Sequence, residues 1–231
     1  MSVDDQFHVL GSITRTTRRE LILERLRSAV TSGALPPGTH LAETELSAQL
    51  GVSRGTLREA LRHLQEDGLL SKDSRGRLSV RVVSPAEVAD IFAVRFSLES
   101  LAIRLLNERD DFEHVITALR SALDLLRQSE EGPLEGQVDA DLAFHEAICR
   151  ASRNQTLVDS WRRVSGLARA TITAAGRTTA RENMSADRHA PILDAIASRD
   201  VEAALAVLEQ HNAEAQSRIV TNMPARAAES V

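Results

Sequence analysis

Tyrosine is absent from this sequence, Trp161 is its only tryptophan, and aromatic residues make up 3% of the chain. So sparse a set argues against recognition by stacking unpaired bases on aromatic rings. Cysteine occurs once, at Cys149, which rules out an intramolecular disulfide framework and fits a reducing compartment. No apolar run approaches the ~20 residues that span a bilayer, and the first ten residues lack the basic-then-apolar pattern of a secretion signal. A cytoplasmic protein with no membrane partner is therefore expected. Positive charge is also scarce, for the net charge is −5. The shortage is uneven: residues 1–83 carry 12 Lys and Arg against 10 Asp and Glu, and residues 84–231 carry 16 against 23. The acidity belongs to the second part, which leaves the first free to meet phosphates.

Strand patterning is missing beyond residue 83, so the chain divides into segments of different texture. In residues 1–83, Ile22, Leu26, Ala29 and Val30 fall at helical spacing and predict a helix over about residues 17–32. Gly33 and Leu35-Pro36-Pro37-Gly38 end it. A short helix is predicted from Glu43 to Gln49. A third, capped by Ser53, has Leu57, Ala60, Leu61 and Leu64 on one face and stops at Gly68. Residues 69–72 and 78–83 read as strands around the turn Asp73-Ser74-Arg75-Gly76-Arg77. Three helices and a hairpin describe a winged helix-turn-helix. Residues 84–231 read as an all-α antiparallel bundle of six helices, near 85–107, 111–130, 134–152, 155–178, 186–198 and 201–222, with fraying expected from Pro224. The fold class is thus mainly α.

On the third helix Arg54, Arg58 and Arg62 recur every fourth residue, opposite the leucines. This is the layout of a helix that enters the major groove, with donors for base edges near its start. Ser53 and Thr56 offer hydroxyls and backbone amides where a phosphate could sit. Arg75 and Arg77 flank Gly76 at the wing tip, within reach of an adjacent groove or backbone. The alternative is a solvated face on which Glu59 and Glu66 pair with the arginines. Leu35-Pro36-Pro37-Gly38-Thr39-His40-Leu41, Glu45-Leu46-Ser47, Leu50-Gly51-Val52-Ser53-Arg54, Leu57-Arg58-Glu59-Ala60-Leu61 and Glu66-Asp67-Gly68-Leu69-Leu70 resemble, in order, the signature of GntR-type regulators. The resemblance implies a DNA-binding repressor, acting as a homodimer on operator DNA, with Ser53, Arg54, Thr56, Arg58 and the wing glycine at DNA-contacting positions. Thr44 and Gly55 depart from that pattern, so the operator sequence cannot be carried over.

In the second segment Asp141 and His145 lie four apart on one helix face. His189 and His211 stand about equally far from the turn at Arg199-Asp200, which levels them in an antiparallel hairpin roughly 15 Å from it. One carboxylate and three imidazoles suit a divalent ion such as Zn²⁺ or Ni²⁺. The alternative makes the Asp141–His145 pair and His211 surface features, with His189 capping a helix. Val94-Arg95, Leu98-Glu99, Asp141-Leu142-Ala143-Phe144-His145, Ser152-Arg153-Asn154 and His189 through Ile196 resemble the FCD class of the same family, whose helical domain commonly holds a metal. That resemblance implies a metal at Asp141, His145, His189 and His211, with open positions for a small carboxylate effector. Arg95 is the candidate partner of that acid, or else pairs with Glu99; Asn154 is a ligand contact or a turn residue. Trp161, Phe92 and Phe96 are expected in the core. Two other readings are a helical-bundle metalloenzyme, and a repressor with a structural metal that answers to a protein partner. No general base or nucleophile accompanies the candidate ligands, and an enzyme would leave the first segment unexplained.

Overall fold

The computed structural model describes residues 18–223 apart from 32, 74 and 176; the fraying expected from Pro224 falls outside them. The first segment holds α1 (Arg18–Thr31), α2 (Glu43–Leu50), α3 (Arg54–Glu66), β1 (Leu70–Lys72) and β2 (Leu78–Val80). Ile22, Leu26 and Val30 of α1 are buried, as are Leu57, Ala60, Leu61 and Leu64 of α3, the stripes that helical spacing predicts. Gly51, at φ +63°, closes α2 in the left-handed conformation that glycine adopts without a Cβ clash. The strands pair antiparallel with Leu70 opposite Val80 and Lys72 opposite Leu78. Both are shorter than expected, and β2 has a further neighbour: His40 bridges Ser79, with Leu41 N–H donating to Leu78 O at 2.8 Å. The segment after the two prolines thus covers the hairpin edge that would otherwise lie open.

The second segment comprises α4 (Pro85–Asn107), α5 (Phe112–Ser129), α6 (Leu134–Ala151), α7 (Gln155–Ala174), α8 (Arg177–Asn183), α9 (Ala186–Ala197) and α10 (Val201–Asn222). Ser84 and Glu87 form a reciprocal capping box at the start of α4, with Pro85 at the first helical position. Packed against α6, α7 and α10, α4 lies at the centre of the bundle, and α9 and α10 form a hairpin. None of the helices among the described residues is long and apolar enough to cross a membrane.

One expectation needs correction. The single helix predicted over 155–178 ends at Ala174, and a separate short helix runs from the last two of those residues into the gap before the next predicted helix. With α8 the bundle has seven helices among the described residues. Because α8 packs against α6, α7 and α10, tertiary contacts hold a segment too short for helical periodicity to register.

Candidate functional site

Ser53 caps α3 by accepting from Thr56 N–H at 3.1 Å, and the Ser53 and Thr56 hydroxyls lie 2.8 Å apart. The buried leucine face turns Arg54, Arg58 and Arg62 outward into solvent. Three predicted arginines have acidic partners: Arg58 with Glu43 at 2.6 Å, Arg62 with Glu59 at 2.7 Å, and Arg77 with Asp73 at 2.7 Å. Arg54 and Arg75 form no side-chain ion pair among the described residues. The solvated-face alternative is therefore realised in part. Exposed pairs of this kind contribute ~0–1 kcal/mol, so duplex phosphates can displace them at little cost. In the wing, Asp73 Oδ1 accepts from the N–H groups of Arg75 and Arg77, and Gly76 at φ +76° completes the turn.

The predicted ligand residues meet in the bundle interior. His145 and Asp141 come from α6, His189 from α9 and His211 from α10, and all four are buried. The three histidines each offer a nitrogen within 4.8 Å of the others. Asp141 joins from one side, its Oδ1 lying 3.1 Å from His189 Nε2.

Hydrogen bonds fix how two of these rings face the centre. Glu99 Oε2 accepts from His145 Nδ1 at 2.8 Å, and Ser185 O accepts from His189 Nδ1 at 2.8 Å. Both partners are acceptors, so both Nδ1 atoms carry a proton, and in its neutral form such a ring points a lone pair from Nε2. Those Nε2 atoms stand 3.2 Å apart, with Asp141 Oδ1 against one of them. Three electron-rich atoms converging without a donor require a cation among them, whether a proton on an imidazole or a metal ion. Burial, outweighing attraction to Glu99, presses His145 toward its neutral form. His211 is pushed further, first by burial and then by repulsion from His189, His145 and Arg95. Asp141 is held below its ordinary range despite burial by His189, a pull that needs a proton on His189 Nε2 and so supplies the cation when no metal does. Buried His211 Nδ1 has no hydrogen-bond partner. Neutral imidazoles beside an ionised carboxylate are the protonation states that divalent-metal ligation needs.

Glu99 supports this centre. Wholly buried at 0% exposure, it accepts from Arg95 Nε at 3.3 Å and from Trp161 Nε1 at 3.1 Å as well as from His145. Its importance escaped the sequence reading, which treated Glu99 as an ion-pair alternative and Trp161 as core. A signal existed: Val88, Ile91, Phe92, Arg95, Glu99, Ala102, Ile103 and Leu106 form the buried stripe of α4, and two charges within such a stripe must be answered from other helices.

Arg95 both pairs with Glu99 and lines a small cavity, its guanidinium 5.2 Å from the centre of the Phe92 ring. The cavity adjoins Asp141, His145 and His211 and is also lined by Ile172, Asn183 and Met184. Asn154 is placed elsewhere. It is the N-cap of α7, with Oδ1 accepting from Leu157 N–H at 3.0 Å, and it is not among the cavity's lining residues. Of its two readings, the turn residue is the one the structure shows. Phe92 and Trp161 are buried as expected, while Phe96 is only partly so.

A winged helix presenting arginines, fused to a helical bundle with a buried histidine cluster, defines a DNA-binding transcription regulator. Residues 18–80 match the bacterial regulatory proteins of the gntR family, and residues 90–214 match the FCD domain. The chain belongs to the GntR family and carries an FCD domain. It is 29% identical over 200 residues to a Paenarthrobacter nicotinovorans protein described as a probable D-xylose utilization operon transcriptional repressor, covering 86% of this chain and 87% of that one. It is 33% identical over 202 residues to an HTH-type transcriptional regulator from an unstable DNA locus of Streptomyces ambofaciens, covering 85% and 82%. Among solved structures, a GntR transcriptional regulator from Rhodococcus sp. RHA1 matches with a TM-score of 0.71 at 26% identity, covering 90% of this chain and 99% of the other. Family and relatives are transcription regulators, not enzymes.

Glu99→Gln would leave Arg95 buried opposite a neutral side chain, and breaking such a pair costs about 3–5 kcal/mol. Burial by itself would raise the Glu99 carboxyl, but attraction to His145 and Arg95, with hydrogen bonds from His145 and Trp161, holds it at about 2, below the ordinary 4.5. A depressed carboxylate stabilises the fold fully above its unfolded pKa and loses that contribution as pH falls through the folded one. The stability gap between wild type and Glu99→Gln should therefore be full above pH 4.5 and narrow steadily toward pH 2. Urea unfolding across that range checks it; a gap that does not change with pH would contradict the assignment.

Proposed function

We propose that the protein is a repressor that binds operator DNA as a homodimer and is controlled by a small carboxylate bound beside a divalent metal ion. The observation that carries the metal is the convergence of His145 Nε2, His189 Nε2 and Asp141 Oδ1 with both imidazole protons tied up on the far nitrogens. Asp141, His145, His189 and His211 would hold the ion, and a set of three nitrogens and one oxygen suits Zn²⁺, with Ni²⁺ the other candidate. A bound divalent ion supplies positive charge and open coordination positions for a carboxylate. Arg95 supplies a second cation at the cavity wall, and Ile172, Met184 and Ile219 give an organic acid an apolar flank. The cavity measures about 10 Å³, room for at most a water molecule. An acid can enter only if the lining moves, and the end of α8, with Asn183 and Met184, forms part of that lining.

The homodimer rests on α4. Val94 and Leu101 are 47% and 44% exposed, and with the partly buried Leu98 and Leu105, which also touch the core, they make an apolar stripe at helical spacing along α4. A second copy would cover this stripe isologously and carry a second reading helix, as a two-fold operator requires. Leu101→Glu should convert the dimer to monomer in light scattering, and an unchanged mass would place the interface elsewhere.

Loading chelator-treated protein with Zn²⁺ should bind one ion per chain and raise the melting temperature. His189→Ala and His211→Ala should abolish both effects, whereas His63→Ala and His114→Ala should not. Protein that binds no Zn²⁺ or Ni²⁺ would show that a proton, not a metal, resolves the converging lone pairs.

On the DNA side, Arg58→Ala should weaken binding to a duplex selected from random sequence by about 1–3 kcal/mol if Arg58 reads a base. Arg75→Ala should instead weaken selected and random duplexes alike and reduce the salt slope by about one unit. Unaltered binding in the Arg54→Ala/Arg58→Ala double variant would remove α3 as the reader.

A further inference from the structure

Two glycines face each other where the reading segment meets the bundle. Gly68 follows α3 at φ +73°, and the last turn closes as Leu69 N–H donates to Leu64 O and Gly68 N–H to Gln65 O, the pairing of a Schellman cap. A Cβ on Gly68 would lie 2.6 Å from Leu167 Cδ2 of α7. Gly166, the neighbouring residue of α7, meets the same turn: a Cβ there would lie 2.9 Å from the Asp67 carbonyl carbon and closer still to its oxygen. Glycine inside a helix costs about 1 kcal/mol relative to alanine. What it offers at Gly166 is an approach of two backbones that any side chain would prevent. The Asp67 carboxylate meanwhile takes Arg27 of α1 at 2.6 Å, so the seated turn is tied to the first helix as well as to the reading helix.

This contact is narrow. Beside it the segments part into a cleft of about 720 Å³ lined by charged side chains such as Arg27, Glu146, Arg162 and Arg169, with Leu23, Leu142 and Trp161 also on its wall. Small polar contacts between domains ordinarily permit relative motion. The same helix also reaches the buried histidine centre. Trp161, five residues before Gly166 and thus roughly 7.5 Å along the axis, donates to Glu99, which accepts from His145. Further along, Ile172 lines the cavity beside Arg95.

We propose that the face of α7 around Gly166 is the seat on which the C-terminal turn of the reading helix docks. Through α7, this seat ties the orientation of the reader to the state of the histidine centre. The seat stands on the glycine contacts alone, and the identity of its input rests on the metal reading above. Linkage makes the coupling reciprocal: a change at Trp161 and Glu99 biases the seat, and release of the seat is felt at Trp161. Alanine strengthens α7 as a helix, so Gly166→Ala removes the seat without unmaking the element that carries it.

The test uses the full chain as wild type, Gly166→Ala and the neighbouring control Ser165→Ala, each freed of metal and then loaded with Zn²⁺. Bound zinc is counted by elemental analysis, hydrogen exchange is followed over residues 64–69, and Trp161 fluorescence is recorded. In metal-free protein, Gly166→Ala should speed exchange at Asp67, Gly68 and Leu69 by about fivefold or more, the lower end of ordinary coupling between sites, while Ser165→Ala matches wild type. On loading, wild type should change both Trp161 emission and exchange at the turn. Gly166→Ala should bind the same amount of zinc and still change Trp161 emission, with no response at the turn. Unchanged metal-free exchange in Gly166→Ala would overturn the seat. A wild-type turn indifferent to zinc that is demonstrably bound would overturn the coupling. Absence of bound zinc in every protein would instead refute the metal reading, and the metal-free comparison would still decide the seat.

Discussion

Glu99 is a carboxylate shut away from water, and most of the bundle interior is arranged around that fact. An ionised group in such a place is tolerable only if its oxygens are filled with donors. Here the donors come from three helices: Arg95 of α4, His145 of α6 and Trp161 of α7. Satisfying Glu99 therefore fixes α4, α6 and α7 relative to one another. It also fixes the proton of His145 on Nδ1, which turns Nε2 toward His189. The electron-rich centre follows from how the carboxylate is satisfied, a supporting role that often governs metal sites.

The reading segment obeys a different economy. Its core is small and apolar, and its functional groups are exposed arginines whose present partners are weak surface pairs. Nothing within α3 could sense the histidine centre directly, because its buried face is spent on α1 and the hairpin. Any communication must pass through a contact between the segments, of which the backbone approach at Gly68 and Gly166 is one. Packed backbones lack the side-chain freedom that would absorb a small displacement.

Much of this architecture is legible in the sequence. The leucine stripe of α3, its Ser53 cap, the Ser84-Pro85-Ala86-Glu87 start of α4 and the turn at Arg199-Asp200 are local signals, and each element lies where they put it. The meeting of His189 and His211 could be anticipated because a helical hairpin has a fixed rise, so equal distances from a turn become neighbours, whereas the approach of Asp141 and His145 to them was implied by the family resemblance. Where the reading failed, the cause was non-local. α8 is too short to show a period and is held by α6, α7 and α10. The His40 bridge to β2 joins residues far apart in the chain. Asn154, open between a ligand contact and a turn residue, caps its own helix through a contact local in the chain.

The sequence by itself determined the two-part layout, the exposed arginine face and the residue types available for a cation, because propensity, capping and periodicity act over a turn or two of chain. Tertiary structure alone decided which distant partners the buried polar groups received: His145 and Trp161 for Glu99, and Asp141 for His189 Nε2. Those choices depend on where helices distant in sequence come to rest, and a buried polar atom must accept whatever donor or acceptor that packing brings within reach.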